Sequence, residues 1–506
     1  MHTKSRKTLG LLLTLALLLT ASFASEPEEY EPEVMEVDED LSSLSSEDRV
    51  LASANYPSLR IHPVYSGLSV ATKEFQEYFQ NDLVPPVVSY FQSALKVRYP
   101  ISGKLSFKSS LKTLCGQSVP SELYSGVAAD MAYFFTIKNL KDSNTVASSY
   151  TCFMAAGTYR PIVGTTWFNV ALFKATKDVL LHEKNTYMLM HEIVHSLGFA
   201  SHMYKYFIDD NGKRLSGHIK SATLDGASNV VLDVEPLTSK LRTFFGCSTL
   251  KGAYMENGGS SGTAGSHFER RHFPFEAMSS PLIYQQAFSE FTLALLEGSG
   301  WYTANYSMAD PYWFGQGQGC SFLTGSCSAG SHDEWCSGSS RGCTVQGRGG
   351  GSCSSDIRSD GCRYNYPNVN YDCENPNAEK YARYPSVQSF GRYENSKCFT
   401  GTLSETSSSA SSTNFCFRYK CVGEGLDTKL RVYVGKLYYT CKYKGILRPA
   451  GYNGHFDCPD PLTFCSTVGK PVCTRGCMGR GSCVDGECIC NEGFFGKDCG
   501  LSEEWS

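Results

Sequence analysis

The sequence predicts an α+β half followed by a loop-rich half held together by disulfides. Three observations carry this. Between Ser58 and Gly298, apolar residues recur at strand-like and then helix-like spacings. Beyond Gly315 glycine, serine and cysteine dominate. All 22 cysteines lie beyond residue 114: three between 115 and 247, thirteen between 320 and 465, and six between 473 and 499. So many cysteines fit an oxidising compartment, and 506 residues suffice for several domains.

At the N-terminus, residues 1–24 read as a signal peptide. Lys4, Arg6 and Lys7 form a basic start, Leu9 to Leu19 an apolar run, and Ser22-Phe23-Ala24 a small-x-small cleavage site. The run is shorter than the roughly 20 residues a membrane helix needs. No second stretch is apolar enough to cross a bilayer, and no hydrophobic tail for a lipid anchor follows Gly500. The mature chain is therefore expected to be secreted, or soluble in a secretory compartment, with no transmembrane segment.

Residues 25–50 form an acidic leader, with nine acids and no base between Glu26 and Asp40. It reads as a disordered or removable propeptide. It has no cysteine, so it cannot offer a thiolate to a metal. No cluster of bases is recognised along the chain, and nucleic acid is not expected as a partner.

Leu59 to Tyr65 alternates like a first strand. Thr72 to Tyr99 has helical spacing, interrupted or restarted at Pro85-Pro86. Val127 to Ile137 and Tyr159 to Asn169 read as strands. A helix beginning near Thr176 or Asn185 runs to Leu197, where Gly198 can end it. Asp233 to Leu241 and Gln285 to Gly298 are further candidate helices. Ser404 to Thr413, nearly all serine and threonine, is expected to be a surface loop. Asn305-Tyr-Ser307 is a glycosylation sequon.

The informative motif is His191-Glu192-Ile193-Val194-His195. Histidines four apart on a helix share a face, so both imidazoles can reach one metal ion, most often Zn²⁺. Glu192 lies beside the first of them, placed to take a proton from an activated water. A catalytic zinc needs a third protein ligand and an open position. In a compact metzincin the third histidine follows the second by six residues. That position is Ser201 here, and His202 misses it by one. Gly265-Ser-His267-Phe-Glu269 and His272 lie further on, followed by Met278.

The order His191-Glu-Ile-Val-His195-Ser-Leu-Gly198, a long insert, Gly265-Ser-His267-Phe-Glu269 and then Met278 resembles leishmanolysin, the M8 family of metallopeptidases. The likeness covers roughly residues 58–465 and includes Arg160-Pro-Ile-Val-Gly164, Gly246-Cys-Ser-Thr249 and Gly317-Gln-Gly-Cys320. It implies a metzincin-type catalytic domain with one Zn²⁺ held by His191, His195 and His267. Glu192 would be the catalytic base and Met278 the methionine of the turn beneath the metal, with His272 a competitor for third ligand. The family's pairing is Cys247–Cys320, leaving Cys115–Cys152. Cysteine parity independently requires at least one bond between the first group and a later one.

The last six cysteines, Cys473-x3-Cys477-x5-Cys483-x4-Cys488-x-Cys490-x8-Cys499, resemble an EGF-like module. That family's pairing would be Cys473–Cys483, Cys477–Cys488 and Cys490–Cys499. The expected organisation is a signal peptide at 1–24, leader at 25–50, catalytic subdomains at 51–198 and 199–318, a cysteine-rich domain at 319–470 and the small module at 471–500. The resemblance implies a zinc endopeptidase acting on protein or peptide substrates. In it, the strand around Ile162 to Phe168 would pair with extended substrate. The rival reading is a catalytically weak or inactive surface or adhesion protein that binds a protein partner through the cysteine-rich and EGF-like regions.

Overall fold

A mixed five-stranded sheet forms the floor of the N-terminal half in the computed structural model. The structure describes residues 31–37 and 56–503, apart from 225, 260–262, 357, 392–394, 410 and 412. The predicted signal peptide and most of the acidic leader lie outside these residues. In chain order the floor is built from β1 (Glu33–Met35), β2 (Ile61–Ser66), helix α1 (Val84–Ala94), β3 (Met131–Lys138), β4 (Ala147–Ala155) and β5 (Pro161–Asn169). The zinc-motif helix α2 (Val179–Leu197) follows, then α3 (Leu237–Phe245) and α4 (Glu290–Gly298). The sheet order is β1-β4-β5-β3-β2. Strands β2, β3 and β5 are mutually parallel, while β4 runs antiparallel to β5.

Both faces of this sheet are covered. On β3, Met131, Tyr133, Phe135 and Ile137 point into the large core containing the helices, and Ala132 and Phe134 into a smaller cluster under residues 101–123. This two-sided burial explains why β3 reads as an unbroken apolar run. Helix α2 lies across the sheet, buried along almost its whole length. Asp178 caps it by accepting from the Leu181 N–H at 2.9 Å. Gly198 ends it at φ +129°, where an added Cβ would meet the Trp301 ring at 2.8 Å. Gly164 on β5 is equally constrained, since a Cβ there would lie 3.0 Å from Ser196 of α2.

The candidate helix at 72–99 divides into Lys73–Glu77, a π-helical turn at Tyr78–Leu83, and α1, with Pro85 and Pro86 in the first turn of α1, where missing N–H groups cost little.

Strand β4 was not foreseen from sequence. Its Ser148, Ser149 and Thr151 look polar yet are buried. Two of them are satisfied by α2: Ser149 Oγ donates to the Glu192 carbonyl, and Thr151 Oγ1 to the Ser196 carbonyl at 2.9 Å. A second correction concerns substrate pairing. β5 is hydrogen-bonded on both sides, by β3 and β4, so the segment Ile162 to Phe168 has no free edge to offer. The outermost strands are β1 and β2, and the three-residue β1 pairs with β4 only at Phe153 to Ala155, leaving the rest of β4 without a strand on that side among the described residues.

The cysteine-rich half contains more strand than its texture suggests. Its main sheet comprises β6 (Ser396–Gly401), β7 (Thr413–Val422), β8 (Lys429–Val434), β9 (Leu437–Cys441), β10 (Gly445–Leu447) and β11 (Phe456–Cys458), in the order β9-β8-β7-β6-β11-β10. The two edge strands are joined by Lys442-Tyr443-Lys444 alone. From Cys441 to Gly445 the backbone reaches at most about 14 Å, whereas a flat six-stranded sheet is about 24 Å across. The sheet must therefore curl, with Val432, Val434, Phe417 and Phe456 inside.

All 22 cysteines are paired among the described residues. The bonds include Cys115–Cys152, Cys247–Cys320, Cys473–Cys483, Cys477–Cys488 and Cys490–Cys499. The C-terminal six-cysteine segment does not stand apart. Met478 and Leu501 are buried in the same core as α2. Arg475 sits 4.6 Å over the Tyr187 ring of α2 and pairs with Asp498 at 2.7 Å.

No described helix is long and apolar enough to cross a membrane.

Candidate metal centre

Helix α2 delivers His191 and His195 one turn apart, and the segment after the long insert brings His267 to meet them. Their Nε2 atoms converge: His195 and His267 lie 3.0 and 3.2 Å from His191. Each Nδ1 faces a backbone carbonyl, that of Ala277 for His191 (2.7 Å), Phe199 for His195 (2.7 Å) and Thr263 for His267 (3.2 Å). These carbonyls fix the tautomers, with Nδ1–H donating and the Nε2 lone pairs all aimed at one point. Three converging lone pairs repel unless a cation lies between them. Zinc–nitrogen distances near 2.0–2.1 Å in a tetrahedron place ligand atoms about 3.4 Å apart, close to the spacing here. The donor set therefore fits Zn²⁺. No fourth side chain joins the group among the described residues, which leaves a position for water or substrate.

All three histidines are at least 95% buried. Burial pushes the His191 imidazole down to about 4 and holds His195 and His267 well below their ordinary value, so each imidazole is neutral at neutral pH, the form a metal needs. Glu192 is buried beside them, and burial pushes its carboxyl up to about 8. A divalent cation at the histidine point opposes that shift and favours the carboxylate.

His202 and His272 are not members of the cluster. His272 is fully buried with Nε2 2.8 Å from the Leu323 carbonyl. Met278 is fully buried in the turn that joins the two halves of the site. The Ala277 carbonyl before it accepts from His191, and the Met278 carbonyl accepts from the Phe268 N–H, next to His267, at 3.0 Å.

Sequence reasoning missed Glu276, the residue that shapes this turn. One carboxylate oxygen accepts from the Met278 N–H. The other accepts from Thr292 Oγ1 at 2.6 Å and from the Ser289 hydroxyl and N–H at 2.8 and 3.2 Å. Its only signal in the sequence is an acid inside the apolar run Phe273 to Met278. Arg270 was missed too. It reaches across to the cysteine-rich half through Asp356 and Tyr364, and donates to the Pro281 carbonyl at 2.8 Å. Asn305, the sequon residue, is exposed and caps a short turn by accepting from Ser307.

The comparisons with known proteins agree with this geometry. The leishmanolysin (peptidase M8) family model matches residues 68–366. The chain belongs to the leishmanolysin family. A leishmanolysin-like peptidase of Drosophila melanogaster is 35% identical over 216 residues, covering 36% of this chain and 31% of the fly protein. A ciliated left-right organizer metallopeptidase of Mus musculus is 27% identical over 358 residues, covering 64% and 48%. Leishmanolysin of Leishmania major is 25% identical over 267 residues, covering 53% and 42%. The chain spans about a third to a half of the length of these relatives. Membership places the three-histidine cluster within a family of metallopeptidases, whose metal is generally zinc.

Proposed function

We propose that this protein is a secreted, zinc-dependent endopeptidase, with the convergence of the three Nε2 atoms beside Glu192 carrying the reading. Zn²⁺ held by His191, His195 and His267 would supply Lewis acidity for a water and the scissile carbonyl. Glu192 takes the proton of the attacking water and returns it to the leaving amine. Its neighbours in α2 hold it there: Ser149 anchors the Glu192 carbonyl and Thr151 that of Ser196, so the helix cannot slide along β4. The Ala277, Phe199 and Thr263 carbonyls keep the ligand rings oriented. The stretch of β4 that β1 leaves without a partner strand offers backbone groups to an extended polypeptide substrate.

The leader bears on the same edge. Residues Glu33 to Met35 add to β4 as a parallel strand at Phe153 to Ala155. Glu31 meets Lys205 Nζ at 2.5 Å and accepts from the Tyr206 hydroxyl at 3.0 Å. In this reading the leader is a cysteine-free propeptide that occupies part of the substrate edge. The disulfides, together with the signal-like start, support an extracellular destination. The last six cysteines are those of an EGF-like module built into the catalytic fold.

The decisive variant is Glu192→Ala. Casein cleavage should fall by about 10²–10⁴-fold while zinc content stays near one per chain, and 1,10-phenanthroline should abolish cleavage by the parent. Undiminished proteolysis in the variant would remove Glu192 from the role of base. Cutting the leader away after residue 50 should raise peptide hydrolysis by about tenfold or more, as an edge competitor is lost. Equal activity with and without the leader refutes its inhibitory role.

A further inference from the structure

The cysteine-rich half carries a surface that peptide hydrolysis does not use. Residues 429–448 contain six bases and no acid: Lys429, Arg431, Lys436, Lys442, Lys444 and Arg448. This overturns the sequence-level expectation that the chain has no basic cluster. The cluster escaped notice because the whole chain is slightly acidic, at −4, and its bases are spaced out among strand residues.

The register of the curled sheet gathers four bases on its outer face. On β8, Leu430, Val432 and Val434 point into the core, so Lys429, Arg431 and Tyr433 point out. Arg418 of β7 lies opposite Tyr433, which in turn lies opposite Tyr438 of β9. Lys420 of β7 lies opposite Arg431. The result is a face bearing Arg418, Lys420, Lys429 and Arg431 on two adjacent strands. No carboxylate pairs with any of the four among the described residues. The nearest acids in sequence, Glu424 and Asp427, lie in the turn beyond Val422.

The aromatic residues on this face already have partners. The Arg418 guanidinium sits 5.5 Å over the Tyr433 ring and that of Arg431 5.0 Å over Tyr438, with the two rings 6.0 Å apart. The rings support the guanidinium groups and are not free platforms on which nucleic-acid bases could stack. Unpaired guanidinium and ammonium groups on a flat strand surface match regularly spaced anions such as sulfates and carboxylates, and guanidinium can bind these in a bidentate manner. A chain with 11 disulfides meets polyanions outside the reducing cytosol, and there they are chiefly sulfated glycans.

We propose that the outer face of β7 and β8 is a docking surface for a sulfated glycosaminoglycan chain. It would hold the protein on extracellular matrix or cell-surface glycan, independently of the metal centre.

The test uses the full chain and a heparin dodecasaccharide as probe, with affinity measured over a series of salt concentrations. Neutralising the face with Lys420→Gln, Lys429→Gln and Arg431→Gln together should weaken binding by about tenfold or more and lower the log–log salt slope by roughly three, one per lost cation. Peptide hydrolysis should be unchanged, which shows that the variant folds. Lys420→Arg with Lys429→Arg should bind like the parent. A control triple of exposed bases elsewhere, Lys104→Gln, Lys108→Gln and Lys112→Gln, removes the same charge and should leave binding unaltered. Equal weakening by both triples would show diffuse charge and overturn the proposal. Tighter binding of the parent to oligothymidylate or to phosphatidylserine vesicles at the same salt would overturn it in favour of those partners.

Discussion

The two parts of the metal centre are held by different means. His191 and His195 stand on one helix, four residues apart, and their relation follows from helical geometry alone. His267 lies 72 residues beyond His195 in an irregular segment. Its position depends on a backbone bridge between Met255 and Phe268, on the Met278 turn, and on Arg270 gripping the cysteine-rich half. The relation between the two helical histidines is local. The third is assembled by contacts from at least three parts of the chain, and Cys247–Cys320 closes the loop that carries it. The contrast shows why a histidine far along the chain can complete a site: the turn at Ala277 and Met278 touches both halves through backbone hydrogen bonds.

The largest expected effect tests whether the two parts are equal as ligands. His195→Ala and His267→Ala should each bring zinc, measured by atomic absorption after dialysis, to below about a tenth of the parent content, because two imidazoles cannot hold a catalytic zinc. His202→Ala and His272→Ala should keep their zinc. Retention in His267→Ala would leave the helical pair as the whole site.

A second, smaller effect asks how far the helical part is truly local. His182 of α2 is buried against the C-terminal segment, where a Cβ on Gly500 would come within 2.7 Å of its ring. Burial lowers the imidazole to about 4. In the unfolded chain it takes a proton near pH 6.5, whereas the folded protein refuses one until about pH 4. The stabilisation is therefore intact above pH 6.5 and is lost as pH falls through that window, by up to about 3 kcal/mol. Urea melts at pH 7 and pH 4.5 should show the loss, and His182→Gln should flatten it. An identical acid limb in the variant would place the sensitivity elsewhere, for instance at His272, whose imidazole burial lowers to about 3.

The smallest effect probes the turn. Glu276→Gln keeps the shape but replaces one acceptor oxygen with a donor, leaving the Met278 N–H or the Ser289–Thr292 group unsatisfied. A cost of about 2 kcal/mol in stability and about tenfold in zinc affinity should follow, read by thermal melts and competition with a chelator. If affinity is untouched, Glu276 supports the fold and not the metal.

Much of the catalytic half was legible from residues. The strand at Pro161–Asn169, the helix ending at Gly198, and the helices at Leu237–Phe245 and Glu290–Gly298 all carry periodic apolar patterns that local geometry converts directly into structure. β4 was not legible. Its serines and threonine are buried by hydrogen bonds to carbonyls of a helix some 40 residues away, as Ser149 to Glu192 shows. The curled sheet of the cysteine-rich half was hidden by glycine and serine, although β8 alternates cleanly between core and surface.

By itself the sequence determined the helical pair of histidines with the glutamate beside them, and a cysteine content suited to an oxidising compartment. It also suggested by resemblance which distant histidine and methionine belong with that pair. Only the tertiary structure decided that the third Nε2 meets the other two, that β5 is paired on both sides, and that Glu276 holds the turn. It alone gathers the bases of β7 and β8 on one face. The physical reason is the range of the determining interactions. Helical spacing is fixed within four residues, whereas edge strands, buried carboxylates and surface charge patterns arise from contacts made only when distant segments pack.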